Sequence, residues 1–349
     1  MSIRKTIKYF DLFAGIGGFN QAIKELKLPN TKFKHIGYCE IDKQARRFYE
    51  EVHSQVTNSL CISNALDICT QKNLEGVKIP NFDLLLAGFP CQSFSNVGYR
   101  KGLDDKRGKL FYTILDILNS YNPNFFVLEN VQKLKTIQGG GLLEEMQDAL
   151  ANIGQGYHLH LWDLRAFNYG VPQNRRRLFF CGVKKSLKDK KSLTIPVPIP
   201  LEKTKYPTAW HLLEKQEVDP RHTIPTKTRE TVLYKNKKWA GNVDIDNVIA
   251  RPITASMSKW HRANQDNYFS ETYIKNKNPY NRPKIDLKTE RIRRITPLEG
   301  FRLQGFPDSY AEKAKEIGLA YTTQYRLIGN TVPVPLAKSV IEHFLKNYL

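Results

Sequence analysis

Two rhythms of apolar residues alternate along the first half of this chain. Short continuous apolar runs bounded by Gly, Pro or Asn read as buried strands, and stretches whose apolar positions return every three or four residues read as amphipathic helices. The first strand is expected over residues 7–13, and Ala14-Gly15-Ile16-Gly17-Gly18 turns it into a helix from Phe19 to about Leu26. A second strand over 35–39 runs through Glu40-Ile41-Asp42 into a helix reaching Val52. A short third strand precedes Asp67-Ile68, and a fourth over 82–87 ends at Gly88 and Pro90. After a helix over 110–118, a fifth strand over 124–128 delivers Glu129-Asn130-Val131 to the same sheet edge. Residues 142–153 have helical spacing, and 157–164 and 177–183 alternate as a last strand pair around the turn Gln173-Asn174-Arg175-Arg176-Arg177. Strand and helix in alternation predict a doubly wound α/β sheet.

From Lys184 the pattern dissolves. Prolines recur at Pro196, Pro198, Pro200, Pro207, Pro220 and Pro225, and Trp210, Trp239 and Trp260 stand among scattered lysines with little periodicity. A domain boundary is expected there, with residues 1–183 as one domain, 184–291 as a second and 292–349 as its support plus a terminal helix opened by Gly329-Asn330-Thr331-Val332-Pro333. Of the net charge of +20, an excess of 13 (25 basic against 12 acidic residues) lies between Lys184 and Arg294. Any one such cluster fits a solvated face, and small irregular domains need aromatics for their cores. A whole segment of this kind favours a polyanionic partner, because basic surfaces gain by releasing phosphate counterions. The five cysteines are odd in number and hold no C-x-x-C pair, which argues against a disulfide framework and against a metal site. No apolar run is long enough for a membrane helix, and Met1-Ser2-Ile3-Arg4-Lys5 leads straight into strand-like sequence, so a soluble cytoplasmic protein is expected.

Chemistry concentrates at strand ends. Cys91 follows the fourth strand on a loop at its carboxyl end, where open α/β sheets place their sites. Alone, Cys91 fits a small buried hydrophobe and Glu129 a solvated strand-end carboxylate. The glycine turn at 15–18, with an acidic residue at the end of the second strand, suits a dinucleotide as well as S-adenosylmethionine. A nicotinamide oxidoreductase is therefore the competing enzyme reading until the Cys91 loop is considered. In combination and order, DLFAGIGGF, GFPCQSFS, ENV, QNRRR, LQGFPD and GNTVP resemble the C5-cytosine DNA methyltransferases found with bacterial restriction systems.

The resemblance covers nearly the whole chain and implies a Rossmann-like, S-adenosylmethionine-dependent catalytic domain with a smaller, irregular target-recognition domain. It makes Cys91 the nucleophile, Glu129 the ring-activating acid, and Arg175 and Arg177 the basic partners that hold the base and its phosphate. Phe13, Gly15, Ile16, Gly17 and Pro90 fall at cofactor positions, Glu40 at the ribose, Ile41 against the adenine, and Asp67 with Ile68 at the adenine edge. Asn330 and Val332 match a cofactor contact from the chain's end, which implies that the last helix folds back onto the first strand. Two departures stand out. Ala65-Leu66-Asp67-Ile68 lacks the glycine usual before that aspartate, and Leu298 replaces an arginine common beside Glu299, which leaves Arg293 or Arg294 to support the recognition domain.

These residue types suit the reaction. Carbon 5 of cytosine is a poor nucleophile until a thiolate adds to carbon 6, and a free Cys with a pKa of ~8.5 is mostly thiol at neutral pH, so the site must help. Glu129 would donate toward ring nitrogen 3 as charge builds, and the target nucleotide must leave the base stack to be reached. No residue is assigned as the base that removes the carbon-5 proton. Double-stranded DNA is the expected partner, with a monomeric enzyme, no metal, no membrane and a paired restriction endonuclease. A relative acting on transfer RNA and an inactive DNA-binding relative are the alternatives; the large basic segment disfavours the first, and intact Cys91 and Glu129 the second.

Overall fold

The computed structural model describes residues 5–53, 60–63, 79–89, 109–187, 195–234 and 243–349. The chain divides into two compact units, one of Met1–Leu164, Arg176–Ile199 and Ala337–Leu349, the other of Arg165–Arg175 and Pro200–Leu336.

The first unit is built on seven strands: β1 (Lys5–Leu12), β2 (Thr31–Cys39), β3 (Leu60–Ile62), β4 (Leu84–Gly88), β5 (Phe125–Val131), β6 (Tyr157–Arg165) and β7 (Arg176–Lys184). Their order across the sheet is β3-β2-β1-β4-β5-β7-β6. Strands β1 to β5 pair in parallel, and β7 runs antiparallel to β5. The strand order reverses between β1 and β4, and the carboxyl ends at such a switch point are where open α/β sheets bind ligands. Helices α1 (Gly18–Lys24), α2 (Lys43–Val52), α3 (Lys109–Tyr121) and α4 (Gly141–Asn152) connect the strands. Leu84–Ala87 and Phe125–Leu128 are wholly buried, as unbroken apolar strands covered on both faces should be. Leu85, Ala87, Phe126 and Leu128, on one face of these strands, join Phe10, Leu12, Ile114, Leu118, Met146 and Phe180 in one core.

The second unit has little regular structure. Strands β8 (Tyr268–Ser270) and β9 (Ile292–Arg294) pair antiparallel beside short helices: α5 (Thr226–Leu233), α6 (Glu271–Lys275), α7 (Pro297–Leu303), α8 (Ser309–Glu316) and α9 (Tyr321–Asn330). Ile224, Val232, Leu233, Tyr268 and Ile292 form a small core. Where the usual arginine is replaced by Leu298, Arg293 supplies the ion pair: its guanidinium grips both oxygens of buried Glu299 at 2.6 and 2.8 Å. Glu299 also closes a capping box with Thr296 at the start of α7. Arg294 instead lies over the Trp260 ring, 3.4 Å from its centroid, and donates to the Met257 and Ser258 carbonyls.

The division departs from the boundary expected at residue 184. The turn Arg165–Arg175 belongs to the second unit because its backbone pairs there: Asn174 N–H donates to the Ala250 carbonyl and Ala250 N–H to that of Pro172, both at 2.8 Å. The last helix, α10 (Val334–Lys346), belongs to the first unit from Ala337 onward. The aromatic contacts of this helix lie on β5 and β6, where Phe344 meets Phe125 edge-on at 5.9 Å and His160 at 6.0 Å. No helix among the described residues is long and apolar enough to cross a membrane.

Candidate active site

The turn after β1 is held in an unusual backbone conformation. Phe13, Gly15 and Gly17 all have left-handed backbones, with φ of 56°, 56° and 83°. A Phe there is strained, and strain of this kind gathers at ligand sites. Among the described residues nothing lies within 4 Å of where a side chain at Gly15 would start. Hydrogen bonds fix the turn to the end of β2: Ala14 N–H donates to the Cys39 carbonyl at 2.9 Å, and Gly15 N–H to Glu40 Oε2 at 2.8 Å.

Glu40 thus joins two loops, since its Oε1 also accepts from Asp42 N–H at 2.8 Å. Burial raises its pKa, and the N–H groups of Asp42 and Gly15 pull the other way. A third backbone N–H, that of Ile41, also bonds this carboxylate. Next to it, Ile41 is 74% exposed, an apolar side chain left in water at the rim of the turn. Behind the turn, Asp11 is fully buried, its pKa driven well up by burial and by the charge of Glu40. Glu40 takes up the Gly15 N–H that a pyrophosphate would need, which opposes a dinucleotide at this turn.

Along the edge from β4 to β7, Gly88 is in register with Glu129, and Glu129 with Phe179. A Cβ at Gly88 would touch Glu129 Oε2 at 3.4 Å, so the residue closing β4 leaves that carboxylate its room. Arg177 Nε stands 2.6 Å from Glu129 Oε1, with both side chains only 12% exposed. Burial lowers the Arg177 pKa, and the carboxylate of Glu129 opposes that shift. Asn130, the middle residue of ENV, is buried and donates to the Phe89 carbonyl at 3.1 Å, tying the exit of β4 to the end of β5. Pro90 and Cys91, like Asp67 and Ile68, lie outside the described residues.

Arg175 is a correction. The expectation that it holds the base and its phosphate meets a guanidinium that is 4% exposed and committed to backbone. It donates to the carbonyls of Ile253 at 2.7 Å and of Gly329 and Thr331 at 2.9 Å each. Gln173 pins the other side of Ile253 by accepting its N–H at 3.0 Å, and donates to the Leu303 carbonyl at 2.8 Å. Gln304 in turn donates to the Ile328 carbonyl at 2.7 Å. The motifs QNRRR, LQGFPD and GNTVP therefore meet in one buried polar junction of the second unit, and Asn330 and Val332 sit in the segment that Arg175 grips. Arg176 points elsewhere again, in a two-pronged pair with Asp163 at 2.6 and 2.7 Å.

Residue-by-residue reading missed Asn130, Gln173 and His53. Asn130 and Gln173 each carried a signal, an amide side chain at the end of an apolar strand and at the head of an arginine run; His53 carried none.

A seven-strand doubly wound sheet with a glycine turn at its switch point is a Rossmann-like fold, and the solved structures it resembles are methyltransferases. The methyltransferase EhMeth of Entamoeba histolytica superposes with a TM-score of 0.72 over 98% of this chain and 99% of its own, at 17% identity. The Dnmt2 methyltransferase of S. pombe does so at 0.70 over 98% and 99%, at 21% identity. The chain belongs to the C-5 cytosine-specific DNA methylases, whose family model matches residues 7–346, and it is a DNA cytosine-5 methyltransferase. Among curated relatives, the type II methyltransferase M1.ScrFI of Lactococcus lactis subsp. cremoris is 32% identical over 98% of this chain and 79% of its own length. M.HpaII of Haemophilus parainfluenzae is 31% identical over 99% and 91%.

Proposed function

We propose that this chain methylates carbon 5 of a flipped-out cytosine within a specific double-stranded DNA sequence, using S-adenosylmethionine and a covalent bond from Cys91 to carbon 6. The observation that carries this reading is the Glu129–Arg177 pair at the end of β5, in register with Gly88, three residues before Cys91 in sequence.

The donor fits the turn. Open space over Gly15, the carboxylate of Glu40 and the exposed face of Ile41 suit a methionyl chain, a ribose and an adenine ring respectively. Phe13, Ile16 and Gly17 would complete the methionyl side, with Pro90, Asp67, Ile68, Asn330 and Val332 assigned by resemblance. When bound, S-adenosylmethionine supplies an electrophilic methyl carbon next to the base. The thiolate of Cys91 adds to carbon 6, and the C5–C6 electron pair becomes an enamine. Glu129 meets the developing charge at nitrogen 3, and Arg177 orients Glu129 and the ring. Loss of the carbon-5 proton and departure of the thiol restore the ring and free Cys91.

The second unit supplies target recognition in this reading. Its basic residues support binding to the duplex backbone, which offsets the few kcal/mol needed to unstack the target. Type II relatives support a modification enzyme paired with a restriction endonuclease; in this reading it acts as a monomer in the cytoplasm.

Purified enzyme should convert cytosine to 5-methylcytosine at one short sequence in duplex DNA. Cys91→Ala should abolish transfer with DNA affinity kept within about threefold, and Glu129→Gln should cut kcat by ~10²-fold or more, as loss of acid assistance does, with donor affinity unchanged. Unchanged turnover in Cys91→Ala would remove that residue from the mechanism.

A further inference from the structure

Beneath the donor turn lies a group that the mechanism does not use. His53 follows α2, is 1% exposed, and its ring reaches back to the turn. A Cβ built on Gly17 would fall 2.0 Å from His53 Nε2 and 2.9 Å from Tyr49 Cε2, so the imidazole fills the space that any other residue at 17 would claim. Lys24, the last residue of α1, holds its Nζ 2.8 Å from His53 Nδ1. A lysine ammonium only donates, so Nδ1 accepts and the ring proton belongs on Nε2, the nitrogen facing the turn. The Ile16 backbone carbonyl is a further hydrogen-bond partner of the ring.

We propose that His53 is a positioning residue for the methyl-donor site: oriented by Lys24, it holds the Ile16–Gly17 backbone in the left-handed bend on which the donor's methionyl end rests. The arrangement is a closed ring, because Gly17 caps the start of α1 and Lys24 ends it, and His53 joins both. Neighbours fix the imidazole in turn. Tyr49 packs on it at 4.5 Å between centroids, Tyr38 stacks on Tyr49 at 4.1 Å, and the Tyr49 hydroxyl meets His35 Nε2 at 3.1 Å. Burial, with the Lys24 charge next, pushes the His53 pKa down to about 3, so the ring stays neutral and keeps one tautomer at working pH. A turn set before the ligand arrives spares the donor the cost of ordering it.

The proposal rests on the donor assignment made above, and the test separates the two. S-adenosylmethionine binding is measured by calorimetry on the full chain, beside steady-state kinetics. His53→Ala should raise the donor Kd and KM by about tenfold, the scale of one lost hydrogen bond, with kcat and DNA affinity within about twofold. His53→Gln, whose amide can donate to the same carbonyl, should recover most of the loss, and Lys24→Met should fall between. A rise in donor KM that Gln rescues is not what a general loss of packing gives. Should His53→Ala fail to fold, the order of donor affinity wild type, Gln, Met still decides, and equal affinity in all three overturns the proposal. A wild-type chain that binds no S-adenosylmethionine overturns the donor assignment itself.

Discussion

Three consecutive arginines in QNRRR go to three different destinations: Arg175 to backbone carbonyls, Arg176 to Asp163, and Arg177 to Glu129. Residue type and motif were enough to single out Glu129 and Arg177. They could not separate Arg175 from Arg177, because the partners of Arg175 stand 78, 154 and 156 positions away and are carbonyls, which carry no side-chain identity to read. The same limit hid His53, whose neighbour Gly17 was legible as a turn residue while the ring filling the space above it was not. Removing the Arg175 guanidinium strands three carbonyls in a buried site, at roughly 1–3 kcal/mol for each group left unsatisfied. Arg175→Ala should therefore lower the urea midpoint substantially, by the equivalent of about 3 kcal/mol or more, whereas Arg177→Ala should cost activity first. Equal stability of Arg175→Ala and wild type would return Arg175 to the base-holding role.

Elements were read well where apolar runs are continuous and less well where pairing alone defines them. The buried centres of β1, β4, β5 and β7 appear within a residue or two of expectation. Strand β2 begins at Thr31 rather than at residue 35, because Thr31–His35 is half exposed and gains its strand form by pairing with Lys5–Tyr9. Strand β5 continues to Val131 because β7 pairs with it up to Arg177, which puts Glu129 inside the strand and gives its side chain a fixed direction. Helix α9 offers a test of element packing at Gly329. In an exposed helix interior, Gly→Ala gains about 1 kcal/mol. Here the added carbon would sit 2.3 Å from Ala255 N and from the Thr254 carbonyl carbon, backbone atoms that cannot swing aside. The steric term should win, so that Gly329→Ala is destabilised by ~1–3 kcal/mol in urea denaturation; a stabilised variant would show that the close approach is not present in solution.

At the scale of the whole molecule, one unit carries the sheet with the Glu129–Arg177 pair, and the other is irregular and holds most of the basic segment between Lys184 and Arg294. The change from regular to irregular structure was legible as a change of texture, although the boundary residues were not: which side the Arg165–Arg175 turn joins depends on its pairing with Ala250. Family membership and sheet edge lead to one central claim, that the sulfur of Cys91 forms a bond to carbon 6 of an extruded cytosine. The most direct measurement is to incubate the enzyme and S-adenosylmethionine with duplex DNA bearing 5-fluorocytosine at the methylated position, then map any protein–DNA adduct by mass spectrometry. Fluorine cannot leave as a proton does, so the account predicts a stable adduct on the peptide containing Cys91, absent in Cys91→Ala. Efficient methylation of ordinary DNA with no adduct on the fluorinated duplex, or an adduct at another residue, would contradict it.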